Sequence, residues 1–171
     1  MPRYVAFLRG VTPSNASMPD LKRAFERAGF DEVKTVLSSG NVVFTASAAP
    51  EATLVRQCEE AMATHLPRAF SAIVRATTTL AELLESDPYA AFDLPTDAKR
   101  VVTFLRKAPP TTIALPIRAD GVQILERRGR EVFTAYVPGP AGPVFMKMIE
   151  QTFGKDLTTR TWDTIRKCTR A

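Results

Sequence analysis

Histidine is almost missing from this sequence: His65 is the only one. It follows a helical run near its end, where a partial positive charge is favourable and solvent is close, so it reads as a surface residue. Ser-His-Asp and Cys-His arrangements and histidine-based zinc sites are thereby set aside. Cysteine is scarce too, and Cys58 and Cys168 are too few and too far apart for a disulfide framework or a metal knuckle. Cys58 shares a helical stripe with Leu54, Met62 and Leu66, and Cys168 shares one with Ile165 and Trp162. Both are expected in the core as small hydrophobes, consistent with a reducing compartment.

Long apolar runs are lacking. The longest, such as Tyr4 to Leu8 and Val42 to Phe44, fall far short of the roughly 20 residues that cross a bilayer. The first residues show no charged region followed by an apolar stretch and a small-residue cleavage site, so a cytoplasmic protein that does not engage a membrane is expected. Neither G-x-G-x-x-G nor G-x-x-x-x-G-K-[ST] occurs, which removes the common dinucleotide and nucleotide-triphosphate loops. Glu59, Glu60, Asp87 and Asp93 show no spacing that demands a metal or a carboxylate pair. The sequence therefore nominates no catalytic residue, no metal site and no cofactor.

What is present is an ordinary globular composition, with 45% apolar and 24% charged residues over 171 positions. That length suits one large domain or two small ones. The net charge is +5, but it is unevenly spread: +2 over residues 1–76, −3 over 77–100 and +6 over 101–171. The basic excess lies in Arg127, Arg128, Arg130, Lys147, Lys155, Arg160, Arg166, Lys167 and Arg170. Such an excess suits an anionic partner, although runs of this kind are commonly solvated faces.

Tyr4 to Leu8 reads as a central strand that enters a loop at Arg9-Gly10. Ser17 is a natural N-cap ahead of Pro19, and Leu21, Ala24, Phe25 and Ala28 repeat at helical spacing until Gly29. Val33–Leu37 and Val42–Thr45 are β-prone runs flanking Ser38-Ser39-Gly40-Asn41, a hairpin in which Gly40 supplies a positive φ. A helix from Pro50 through Leu66 and a strand from Ser71 to Ala76 complete a β-α-β-β-α-β order, that of a ferredoxin-like unit.

The order recurs in outline. A bridging helix near Leu80–Glu85 and the turn Asp87-Pro88-Tyr89 lead to a strand at Val101–Leu105. After a proline-bounded connection come strands at Gly121–Glu126 and Glu131–Val137 around Arg127-Arg128-Gly129-Arg130. A helix over Val144–Phe153, closed by Gly154, precedes a short final helix over Trp162–Thr169. The expected architecture is α+β, with two ferredoxin-like β-α-β-β-α-β units and antiparallel sheets. The units span residues 1–76 and 97–171, joined by a helical segment over 77–96, with a C-terminal helix. Topology repeats, but no repeat of sequence is evident.

The strings Y-V-A-F-L-R-G-V at Tyr4–Val11, S-G-N-V-V-F at Ser39–Phe44, D-P-Y at Asp87–Tyr89 and T-T-R-T-W-D-T-I-R-K at Thr158–Lys167 resemble the bacterial family called domain of unknown function 1697. The resemblance implies a pair of ferredoxin-like subdomains without an established activity. Members usually follow R-G with an isoleucine, an asparagine and a glycine-rich loop. Here Val11-Thr12-Pro13-Ser14-Asn15 stands instead, and Pro13 removes a backbone donor. Thr161 replaces the family's usual asparagine before the tryptophan, and Met146 its usual serine before Lys147.

Two clusters stand out. In a ferredoxin-like unit the end of the first strand and the central hairpin share one end of the sheet, which brings Arg9 and Gly10 beside Ser39, Gly40 and Asn41. A guanidinium, backbone donors at glycines and small polar side chains suit phosphate or carboxylate. Alternatively Gly40 and Asn41 serve only the turn. The second cluster is Lys147 with Thr158-Thr159-Arg160-Thr161-Trp162, where Thr159 or Thr161 caps the last helix and Arg160 and Trp162 offer a charge beside a flat surface. Equally, Trp162 anchors the terminal helix in the core, with Arg160 stacked on it. Phe7 and Phe44 lack the paired aromatics of an RNA-recognition sheet and read as core. The leading expectation is a binding module for an anionic partner, either a nucleic acid or a phosphorylated metabolite. The rivals are an enzyme acting on a small anionic substrate through Arg9 and Arg160, and a self-associating interaction protein; the sequence leaves the oligomeric state open.

Overall fold

The computed structural model describes residues 1–110, 112–139 and 141–171. The chain forms two compact units: Met1–Glu85 together with Thr164–Ala171, and Ser86–Asp163.

In the first unit, β1 (Arg3–Leu8), α1 (Met18–Arg27), β2 (Asp31–Val36), β3 (Asn41–Thr45), α2 (Glu51–His65) and β4 (Ala72–Ala76) follow one another. The sheet order is β2-β3-β1-β4, and every neighbouring pair is antiparallel. This is the ferredoxin-like order expected from the strand pattern. Helix α1 starts where Ser17 is extended and its Oγ accepts from the Asp20 N–H at 3.2 Å. Its stripe of Leu21, Ala24 and Phe25 is buried. Helix α1 lies against β2 and α2 against β4.

Period-2 alternation decides which side of the sheet meets the helices. Tyr4, Ala6, Leu8, Val42, Phe44, Ala72 and Val74 face them and join Leu21, Phe25, Leu54, Cys58 and Met62 in one core. Phe44 is its centre, with ring centroids 4.4 Å from Phe30 and 5.8 Å from Tyr4 and Phe25. Val5, Phe7, Val43 and Ile73 point the other way and are also buried. Each fully buried side chain of this size contributes about 1.5–3 kcal/mol.

The helix after β4, α3 (Thr77–Ser86), buries Leu80. The Thr77 hydroxyl donates to the Arg3 carbonyl at 3.1 Å. The last residues also belong here: Ile165 and Cys168 are fully buried, and the Arg3 Nε donates to the Ala171 carbonyl at 3.1 Å. The observed division therefore differs from boundaries drawn at residues 76 and 97, because these contacts hold α3 and the chain end to β1.

The second unit opens with a 3-10 turn, Pro88–Ala91, and contains β5 (Lys99–Leu105), β6 (Ile117–Ala119), β7 (Val122–Arg128), β8 (Glu131–Tyr136), α4 (Gly142–Phe153) and β9 (Leu157–Thr161). Helix α5 (Trp162–Arg170) follows directly. The sheet order is β6-β7-β8-β5-β9, again antiparallel throughout. Its last four strands repeat the first unit's order. Among the described residues no helix joins β5 to β7. Pro109, Pro110 and Pro116 in that connection remove donors and restrict their predecessors, and the short edge strand β6 takes the helix's place in chain order. Residue 111 of the proline-bounded connection lies outside the described residues. Helix α4 lies against β7 over a core of Val101, Leu105, Ile124, Val132, Phe145, Ile149 and Leu157.

Strand register exposes a repeat that the bare sequence had concealed. Val5 pairs with Arg75 and Leu8 with Ala72, while Val102 pairs with Arg160 and Leu105 with Leu157. In this register Val5-Ala6-Phe7-Leu8-Arg9 aligns with Val102-Thr103-Phe104-Leu105-Arg106. The last strands, Ala72–Ala76 and Leu157–Thr161, each carry arginine at their fourth position. No helix among the described residues is long and apolar enough to cross a membrane.

Candidate functional site

The β1 strand ends in a corner built by backbone pairing. The Leu8 N–H donates to the Gly40 carbonyl at 2.8 Å and the Arg9 N–H to the Ser71 carbonyl at 2.9 Å. The first unit thus brings Arg9, Gly10, Ser39, Gly40 and Asn41 together at one end of its sheet. Leu8 faces the helices, so Arg9 stands at the rim of the opposite face. Arg9, Gly10 and Ser39 are exposed, whereas Gly40 and Asn41 are buried.

Turn chemistry accounts for the two buried residues. Gly40 has φ +86°, and a Cβ there would lie 2.8 Å from Val11 Cγ2 and 2.9 Å from Val11 Cβ. Asn41 donates its side-chain amide to the Val36 carbonyl at 2.8 Å and to Ser39 Oγ at 3.0 Å. Its amide nitrogen thus ties the hairpin. Of the five corner residues, Arg9, Gly10 and Ser39 are left facing solvent.

The loop after Gly10 is organised by Asn15. Its Oδ1 accepts from the Thr12 N–H at 2.8 Å, and its Nδ2 donates to the Gly10 carbonyl at 2.9 Å. Thr12 and Ser14 hydroxyls meet at 3.0 Å. This asparagine clamp fixes a segment that has no glycine between Val11 and Asn15. Ser71, directly across from Arg9, is a residue that sequence reasoning missed, because its place depends on β1–β4 register.

The other cluster is arranged differently from the expectation. Thr158–Thr161 belongs to strand β9, and Thr161 stands immediately before α5. Register places Arg160 beside Val102, on the face away from α4, while Lys147 is exposed on α4 itself. The sheet therefore separates Lys147 from Arg160. Arg160 is buried, its Nη1 donating to Thr158 Oγ1 at 2.6 Å and to the Thr159 carbonyl at 2.8 Å. Trp162 is 6% exposed and meets Tyr89 edge to face, which is the core-anchor arrangement. In the first unit Arg75, at the matching position, is 2% exposed and donates to Glu51 Oε2 at 3.4 Å and to the Val74 carbonyl at 3.0 Å.

Two further features carry polar strain or space. Asp87 opens the D-P-Y string at φ +36°, with Oδ1 buried and lacking a hydrogen-bond partner. The Tyr89 hydroxyl donates one hydrogen bond while lying 2.9 Å from the Val101 carbonyl and 3.0 Å from that of Thr134; burial pushes its ionisation well above the ordinary phenol value. His65 lines a cavity of about 440 Å³ with Asp31, Gln57 and Glu60. Among the described residues no group of three or more His, Cys, Asp or Glu side chains is placed to hold a metal ion.

None of the curated proteins matches the sequence. Among solved structures, the conserved bacterial protein SP0830 from Streptococcus pneumoniae is similar at a TM-score of 0.71 and 20% identity, covering 99% of this chain and 97% of that one. At that identity the likeness is one of fold. The family model described as a protein of unknown function, DUF1697, matches residues 1–133 of the 171, and the chain belongs to that family.

Proposed function

We propose that the chain is a binding module for an anionic ligand, and that the β1 corner receives the anion. The observation that carries this reading is the exposed Arg9-Gly10 pair next to the exposed Ser39, at a strand end tied to the Gly40 and Ser71 carbonyls by backbone hydrogen bonds of 2.8 and 2.9 Å. A guanidinium forks onto a phosphate or carboxylate, and small hydroxyls at Ser39, Thr12 and Ser14 add neutral donors around it. The clamped loop supports the reading because little conformational freedom remains to be lost on binding. The basic excess over 101–171 further favours a polyanion or phosphorylated metabolite.

Calorimetric titration with pyrophosphate, a nucleoside diphosphate and short single-stranded RNA and DNA, each at low and high salt, tests the proposal. Binding that weakens with salt and falls roughly tenfold in Arg9→Ala is expected. No binding to any of the four at low salt, or binding indifferent to Arg9→Ala, overturns it.

A further inference from the structure

Strand pairing gathers much of the C-terminal basic excess at one end of the second sheet. There β7 ends and β8 begins around Gly129, β5 ends at Leu105, and β9 begins at Leu157, the pairing partner of Leu105. Backbone hydrogen bonds tie these ends together. The Leu105 N–H donates to the Arg130 carbonyl at 2.8 Å and the Arg106 N–H to the Asp156 carbonyl at 3.2 Å. Arg127, Arg128 and Arg130 of the hairpin, Arg106 and Lys107 after β5, and Lys155 before β9 therefore stand on one rim. Neighbouring strands lie about 4.8 Å apart, so the rim is a line of cations running across the strand ends. Glu126, Glu131 and Asp156 are the acidic residues at the same end, which leaves a net charge of +3. Asp156 meets the Arg106 Nε at 2.9 Å and Glu126 the Arg128 Nε at 3.4 Å. Four of the six cations are arginines, whose planar forks suit phosphate oxygens.

The rim borders a cavity of about 540 Å³. Lys107 and Asp156 belong to both, while Leu105, Pro109, Ile113 and a half-buried Phe153 give the cavity an apolar wall. A bare phosphate chain or a run of acidic side chains has no flat apolar part to set against such a wall. A nucleic acid strand carries both phosphates and flat bases, and its base faces are open only when it is single-stranded. We infer that this end of the second unit is a surface for single-stranded nucleic acid, with phosphates along the arginine and lysine rim and a base against Phe153. All of these residues lie within Ser86–Asp163, and the inference does not rest on the Arg9 corner.

Fluorescence anisotropy with labelled oligo-dT and oligo-U strands of about twelve nucleotides, followed over a series of salt concentrations, tests it. A duplex of the same length and polyglutamate serve as competitors, and circular dichroism first shows each variant to be folded. Arg127→Ala with Arg130→Ala, and separately Lys107→Ala with Lys155→Ala, should each make the fall of log K with log salt shallower by about 1.4, at roughly 0.7 per phosphate contact on a single strand. The lysine pair is exposed and carries the test by itself should the arginine pair disturb the hairpin. Lys22→Ala with Arg56→Ala removes the same charge from exposed helical positions of the first unit and should keep the wild-type slope. Phe153→Leu keeps an apolar wall without a ring face, and should weaken binding about five- to tenfold at fixed salt with the slope unchanged. Four results overturn the inference: no binding at low salt, a slope lowered as far by the Lys22 and Arg56 pair as by the rim pairs, wild-type affinity in Phe153→Leu, or competition by duplex or polyglutamate equal to that of the unlabelled strand. None of these variants touches the Arg9 corner, so that reading survives each of them.

Discussion

Tyr89 and Trp162 meet edge to face, with ring centroids 5.1 Å apart and planes inclined at 78°. Tyr89 in turn meets Phe133 at 5.8 Å and 85°. Three aromatic rings from the opening turn, β8 and the start of α5 thus form one buried group, held by the favourable alignment of ring edges with ring faces. Trp162→Ala removes the largest side chain of the three and should cost about 3–5 kcal/mol of unfolding free energy. Trp162→Phe should cost visibly less. Urea denaturation followed by far-ultraviolet circular dichroism measures both, and a loss below about 1 kcal/mol for the alanine variant would place the indole outside the core.

Gly40 and Gly10 both hold positive φ, at +86° and +84°, but only Gly40 is hemmed in. A methyl group at residue 40 would come within 2.8 Å of Val11, whereas nothing lies within 4 Å at residue 10. Gly10→Ala should therefore cost only the left-handed backbone term, about 1–2 kcal/mol. Gly40→Ala should cost more, and Val11→Ala in the same chain should recover part of the difference. Equal losses at the two glycines would mean that Val11 yields freely.

The contrast between these two glycines marks where the sequence was legible. The hairpin at Ser38–Asn41, the Ser17 cap and the stripes of α1 and α2 were readable because each depends on residues within a few positions of one another. The sheet order of the first unit followed from those local elements. Strand β9 was not readable: Leu157-Thr158-Thr159-Arg160-Thr161 alternates weakly and runs straight into a helix. The V-x-F-L-R repeat escaped notice for a related reason. Two five-residue strings about 97 positions apart gain meaning only when pairing shows that they hold the same register. Asn15 and Ser71 meet their partners only through loop closure or strand register.

Both thiols should be silent in the folded protein. Cys58 and Cys168 are fully buried. At Cys58, removal from water and then the nearby Glu59 charge push the thiol well above its ordinary value. Since the thiolate is the reactive form, an aromatic disulfide reagent at about pH 8.5, the ordinary thiol value, should find neither cysteine without denaturant. The two should appear together as urea unfolds the chain. Rapid labelling of either one in the native state would contradict its burial.

The cap of α1 couples a titration to the helix end. Ser17 Oγ accepts from the Asp20 N–H, and the Asp20 carboxylate also meets Arg23. The Asp20 carboxyl is held below the usual carboxylate value, first by the hydrogen bond from Ser17 and then by Arg23. A carboxyl lowered in the folded state adds stability above its unfolded value and loses that addition as pH falls through the folded one. Ser17→Ala removes both the cap and the larger cause of the shift. It should cost about 1 kcal/mol near neutral pH and raise the Asp20 value toward that of an unfolded chain, so the gap between the variant and the wild type should narrow under acid to what the backbone cap alone supplies. An NMR titration of the Asp20 carboxyl carbon reads the shift directly. An unchanged midpoint in Ser17→Ala would assign the lowering to Arg23 alone.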